Sequence, residues 1–145
     1  MMAETSTGLS ATERAAVKQR AKELRDQEKA GKSREAGTAA VLEAIAKLGD
    51  DDRSLAEGLH RVVGEVAPQL VPKTYYGFPG YANDEGKVVL FLKPSSKFKE
   101  RYATFTFEDR STLDDGDIWA VAFAAHRWSP AVEKKVRELV KAATA

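Results

Sequence analysis

Large apolar residues are sparse over the first forty positions of the chain and recur at helical spacing after them. Ser10-Ala11-Thr12-Glu13 matches a capping box, in which serine and glutamate side chains satisfy the orphan amides at a helix start. The segment that follows is rich in helix formers, yet its large apolar residues are Val17 and Leu24 alone. So thin a stripe predicts a charged helix lying on the surface, an extension over residues 1–33 whose first nine residues are frayed. Gly31-Lys32-Ser33 breaks the pattern, and Gly37 weakens the start of the next helix. Val41, Leu42, Ile45 and Leu48 form its apolar face, with Gly49 placed to close it. Leu55, Leu59, Val62, Val63 and Val66 predict a third helix ending at Pro68. His60 falls at the edge of that face and reads as a boundary residue.

The pattern changes at Thr74-Tyr75-Tyr76-Gly77-Phe78-Pro79-Gly80-Tyr81, where aromatic rings alternate with residues that disturb a sheet ladder. A strand that bends and is forced into a turn fits this composition. Lys87-Val88-Val89-Leu90-Phe91-Leu92-Lys93 is an unbroken apolar run between lysines, as expected for a central strand covered on both faces. Ala103, Phe105 and Phe107 alternate with Thr104 and Thr106, which predicts a half-buried strand. Ile118 to Ala124 is read as a further strand with Trp119, Val121 and Phe123 on one face. Ser129-Pro130 then opens a closing helix whose buried stripe is Val132, Val136, Leu139 and Val140. The predicted class is α+β: a two-layer arrangement of an antiparallel sheet of about four strands with amphipathic helices, forming one domain over residues 34–145.

Composition narrows the functional classes. The 145 residues carry a net charge of +1, without the basic excess expected of a duplex nucleic-acid binder. There is no cysteine, which removes thiolate metal sites, disulfides and a cysteine nucleophile. The amino terminus lacks the pattern of a signal peptide, and no apolar run approaches a membrane span, so a cytoplasmic protein without a membrane or nucleic-acid partner is expected. A phosphate-binding glycine loop, a GxSxG elbow and an HExxH pair are all missing from the sequence, and His60 and His126 have no partner pattern. No enzymatic activity is therefore predicted. Asp50-Asp51-Asp52 is read as the acidic start of a helix, with one aspartate as its cap. The loop from Glu108 to Asp117 is acidic but lacks calcium-loop spacing.

Residues 54–143 resemble the YdhG-like family of bacterial domains of unknown function. The resemblance rests on Glu65-Val66-Ala67-Pro68-Gln69-Leu70, Tyr76-Gly77-Phe78-Pro79-Gly80-Tyr81, Lys87-Val88-Val89-Leu90-Phe91, Leu113-Asp114-Asp115-Gly116-Asp117-Ile118-Trp119 and the terminal helix. Glu13 to Lys18 and Asp52 to Glu57 look like the extended form of actinobacterial members. One branch of that family is described as a frataxin-like iron chaperone with an αβα layout and acidic surface ligands. The resemblance thus implies iron held by Glu108, Asp109, Asp114, Asp115 and Asp117, with Asp50 to Asp52 as a second cluster. The other reading is a small-molecule-binding module. Its cleft would be lined by Tyr75, Tyr76, Tyr81 and Trp119, with Lys93 and Arg101 as a basic rim for an anionic group.

Overall fold

The computed structural model describes residues 10–29 and 34–145; the expected fraying of residues 1–9 and the break at Gly31-Lys32-Ser33 lie outside them. The elements in order are α1 (Ala11–Lys29), α2 (Arg34–Ala46), α3 (Asp50–Val66), β1 (Val71–Pro72), β2 (Gly80–Ala82), β3 (Val88–Lys93), β4 (Ala103–Phe107), β5 (Ala122–Ala125) and α4 (Pro130–Ala143). The strands form a five-stranded sheet in the order β1-β2-β3-β4-β5, and every neighbouring pair is antiparallel. The α+β class follows, with an added helix at the amino-terminal side. Among the described residues, no helix is long and apolar enough to cross a membrane.

One face of the sheet carries the main core. Leu90 and Leu92 of β3 stand opposite Phe107 and Phe105 of β4, and Tyr81 of β2 stands opposite Leu90. These side chains join Val41 and Ile45 of α2, Leu55, Leu59, Val62 and Val63 of α3, and Val136 and Val140 of α4 in a single buried cluster. The period-2 alternation of strands and the helical spacing of the apolar residues produce this layer directly. A close backbone approach seats α2 beside β1. A side chain at Gly37 would come within 2.2 Å of the Pro72 carbonyl oxygen, so the residue that weakens the helix is what lets it approach the strand.

The other face is built from the aromatic stretch. Tyr75 and Phe78 exchange two backbone hydrogen bonds, of 2.9 and 2.8 Å, across a turn whose central residues Tyr76 and Gly77 both have positive φ. That is the backbone of a type I′ hairpin, costly for tyrosine and easy for glycine. Lys73 donates to the Gly80 carbonyl one step further down, so β1 and β2 are the arms of this hairpin. The rings of Tyr75 and Phe78 lie 5.0 and 6.0 Å from that of Phe91. Phe91 points away from its neighbours Leu90 and Leu92, and remains partly exposed. The central run is thus covered on both faces, but unequally.

The capping box expected at Ser10 is present: the Ser10 amide donates to Glu13 Oε1 at 2.7 Å, and the Glu13 amide to Ser10 Oγ at 3.0 Å. Val17 and Leu24 are 54% and 49% exposed, as so thin a stripe suggests. The helix nevertheless touches the hairpin through polar groups, described below. The strand expected from Ile118 begins at Ala122 instead. A turn at Gly116 and Asp117 ends the preceding loop, and Ile118 and Ala120 remain exposed without a facing strand.

Two measurements test this division of faces. Leu90→Ala is expected to cost about 3–5 kcal/mol in a urea titration, and Phe91→Ala about half as much, because only the first opens a void in the main core; equal costs would mean that the second face is as well packed as the first. A chain beginning at Arg34 is expected to keep a cooperative thermal transition while losing about 2–4 kcal/mol from the missing hydrogen bonds and ring contacts of α1. An unfolded truncation would show that the helix-side core cannot stand without α1.

Candidate functional site

The acidic residues do not converge. Asp114, Asp115 and Asp117 are exposed on their loop, and among the described residues no group of three or more histidine, aspartate and glutamate side chains is placed to hold a metal. Glu108 is half-buried and accepts a hydrogen bond from the Tyr75 hydroxyl at 3.3 Å. The loop is anchored from its middle, where Thr112 donates to the carbonyls of Ala143 and Ala142 at the end of α4.

In the other acidic stretch, Gly49 occupies the N-cap position, so none of the three aspartates caps α3. Asp50 and Asp51 remain exposed in the first turn, while Asp52 is buried. Its two oxygens accept from the amides and hydroxyls of Ser95 and Ser96 at 2.9–3.1 Å, which fastens the β3–β4 connection to the start of α3. Burial acts to raise the Asp52 carboxyl, but the two amides and then the two hydroxyls outweigh it and hold the group below the usual aspartate range.

The expected aromatic cleft is divided between the two faces of the sheet. Tyr81 is fully buried on the helix side, and its hydroxyl lies 2.9 Å from His60 Nδ1. Burial raises the Tyr81 phenol and lowers the His60 imidazole, so a neutral pair is favoured there. His60 is the boundary residue expected of it. Tyr75 and Tyr76 stand together on the opposite side, edge to face at 4.7 Å. Trp119 is 41% exposed beyond β4. Lys93 is paired with Glu100 at 2.8 Å beside the Phe98 ring, and Arg101 lies over Tyr102 at 5.1 Å. Neither cation forms a rim to the tyrosines.

A different set of cations does. The Arg20 guanidinium of α1 lies 4.8 Å from the Tyr75 ring centre and 5.9 Å from that of Tyr76, and it donates to the Thr74 carbonyl at 3.4 Å. One turn on, the buried Glu23 carboxylate accepts from the Gly77 amide at the hairpin tip. Between α1 and the sheet lies a cleft of about 510 Å³ whose lining includes Arg20, Leu24, Lys73, Tyr75, Lys87, Glu108, Asp109 and Arg110. Lys73 is steadied there by donating to the Gly86 carbonyl at 2.9 Å. Burial, then the charge of Glu108, raises the Tyr75 phenol, which therefore remains a hydrogen-bond donor at neutral pH. The local sequence carries no signal for this cleft, because Arg20, Lys73 and Arg110 come from separate elements that meet only after folding.

A second polar assembly joins α3 to α4. Glu133 accepts from both terminal nitrogens of Arg61, at 3.2 and 3.1 Å, and from Arg137 Nε at 3.0 Å, while Arg137 also pairs with Glu65. Hydrogen bonds from Arg61 and then Arg137 lower the Glu133 carboxyl to about 2. Arg61 lies 5.9 Å from the Trp128 ring, which itself fills the space above Gly58, where a side chain would come within 2.4 Å of it. This cluster ties two helices together and leaves its acids fully committed to arginines.

Asp52→Asn is expected to cost about 2–4 kcal/mol at pH 7, since the amide cannot accept from four donors as the carboxylate does. The folded carboxyl is depressed, so its contribution is complete above the unfolded value of about 4 and is lost as pH falls through the folded one. Urea titrations from pH 7 to pH 2 should therefore show the gap between wild type and variant closing on acidification. A gap independent of pH would assign the effect to shape rather than charge. Comparison with family models, with curated proteins and with solved structures finds no match to this chain.

Proposed function

We propose that the chain is a YdhG-like, non-enzymatic binding module that takes a small organic anion with an apolar body in the cleft between α1 and the sheet. The observation that carries this reading is the gathering of Arg20, Lys73, Lys87 and Arg110 around Tyr75 and Leu24. Four cations stand against Glu108 and Asp109 of the lining and against Glu23, whose carboxylate lies 3.8 Å from Arg20; the remaining positive excess favours an anionic group, and the apolar part of a ligand meets the tyrosine ring and an exposed leucine. Arg20 is already stacked on the ring, so part of the ordering cost is met before a ligand arrives. The reading moves the basic rim from Lys93 and Arg101 to the residues that adjoin the tyrosine. The resemblance in the Tyr76–Tyr81 stretch supports the family assignment. The iron-handling role that this resemblance implies rests on the resemblance alone, given the scattered carboxylates.

Calorimetric titration with 4-hydroxybenzoate, and with inorganic phosphate as a probe of charge alone, tests the proposal. The aromatic acid is expected to bind with Kd of roughly 10–1000 µM, in line with a ligand of its size, and phosphate more weakly. The double change Lys87→Ala, Arg110→Ala and the single change Tyr75→Leu should each weaken binding about tenfold or more, whereas Trp119→Ala should leave it unchanged. Equal loss in the Trp119 variant, or failure of a panel of small aromatic and aliphatic acids to bind at about 10 mM, would sink the proposal. Anaerobic micromolar binding of ferrous iron, abolished by the triple change Asp114→Asn, Asp115→Asn, Asp117→Asn, would favour the metal role in its place.

A further inference from the structure

Helix α1 spans 19 residues, yet among its described side chains only Ala16 and the carboxylate of Glu23 are buried. Val17 and Leu24, which an apolar docking face would cover, are about half exposed. The polar contacts that hold the helix carry a cost of their own. One oxygen of Glu23 accepts from the Gly77 amide, whereas the other, Oε1, is buried and accepts no hydrogen bond. Arg20 Nη1 stands 3.8 Å from that oxygen, near enough for Coulombic attraction but beyond hydrogen-bond reach. Docking α1 therefore keeps a half-satisfied carboxylate out of water, and lifting it returns that oxygen to solvent. With so little apolar area to expose, the helix has two accessible arrangements, docked and lifted, while the main core stays closed in both.

The cleft straddles this junction. Arg20 and Leu24 line it from α1, while Lys73, Tyr75 and Lys87 line it from the sheet side. The bond from Arg20 to the Thr74 carbonyl is long at 3.4 Å, and a guanidinium has more donors than its contacts here use, so Arg20 can still take an anion.

We infer that α1 is a strap whose docking is controlled by the anion in this cleft. The inference rests on the ligand reading given above and adds its regulation. An anion held by Arg20 on one side and by Lys73 or Lys87 on the other is fully bound only while α1 is down, and its departure frees the helix to lift. Contacts to the sheet side alone would exist in both arrangements and shift nothing. Those to Arg20 and Leu24 exist in one, and they set the direction of the change. The lifted helix uncovers Tyr75, Tyr76 and the Gly77 amide, the positive-φ tip of the hairpin.

Amide hydrogen exchange in the full chain reads this opening, because a helix of such length with so thin an apolar stripe frays once it leaves its support. In the free protein, the α1 amides and that of Gly77 are expected to exchange about 100-fold or more faster than those of Leu59 and Leu90. With 4-hydroxybenzoate at about ten times its Kd, exchange of the α1 amides should slow about tenfold, since the helix lifts only from the empty site. Glu23→Ala removes the anchor from outside the cleft lining and raises intrinsic helix propensity, yet it should speed exchange of the remaining α1 amides about tenfold. If the α1 amides exchange no faster than Leu90 in the free protein, or keep their free rate while calorimetry shows the acid bound, the inference fails and the ligand reading stands. Absence of binding by every acid titrated would overturn the reading itself, and the ligand control with it.

Discussion

The register of the β1–β2 hairpin is the constraint on which the rest of the structure depends. A strand shows its side chains to alternate faces, so the position of the turn decides which aromatic residue enters which layer. With the turn centred on Tyr76 and Gly77, Tyr75 and Phe78 fall on the side of Phe91, and Tyr81 falls on the side of Leu90. A slip by one residue would bury Tyr75 against α3 and expose Tyr81. Gly77 makes the turn possible, and Tyr76 accepts a positive φ beside it because the surroundings hold both. Glu23 satisfies the Gly77 amide, and Arg20 lies against both tyrosine rings. The strained tip is thus fastened from α1 by a charge-assisted bond and a cation over a ring, interactions that need few large apolar residues.

Asp52 performs a comparable task at the far end of β3. The chain leaves that strand at Pro94 and must reverse before β4, and the amides of Ser95 and Ser96 would otherwise lack partners within the turn. A single carboxylate at the start of α3 receives both amides and both hydroxyls. The sheet is therefore held to the helical layer by polar groups at its corner as well as by the apolar cluster between them. Such a carboxylate is useful only while ionised, which links the corner to pH in a way the apolar core is not.

Features that depend on a few neighbouring residues were legible before the structure. The caps at Ser10 and Ser129, the apolar stripes of α3 and α4, that of α2 except for Leu42, which is exposed, the run of β3 and the alternation of β4 each follow from spacing within one element. The antiparallel sheet and the α+β class followed from their order. Features that depend on meeting across the chain were not legible. Three aspartates in a row cannot show that the third reaches a serine pair 43 residues on. A ring such as Tyr81 and a ring such as Tyr75 look alike until the turn between them is located. The first half of the Ile118–Ala124 run reads as strand by composition, yet β4 ends at Phe107, opposite Val121, and offers nothing further to pair with. Arg20 belongs to a helix whose apolar content is too low to predict any docking, and its contacts are polar.

The two faces of the sheet are consequently unequal in cohesion, and this bears on where a ligand can act. On the helix side, Leu55, Leu59, Val62, Leu90, Leu92 and Val140 are fully buried, so opening that layer amounts to unfolding the domain. On the other side, α1 contributes Ala16 and Glu23 to the interior, and the contacts of Arg20 are among those that hold it to the hairpin. Lifting α1 exposes few apolar groups, and the free energy of that local opening is correspondingly smaller than that of global unfolding. A ligand seated between Arg20 and Tyr75 would add contacts that exist only while the helix is down, and so would shift the helix toward the sheet without disturbing the main core. A cleft between a firmly built sheet and a lightly held helix can therefore couple ligand binding to exposure of the hairpin tip.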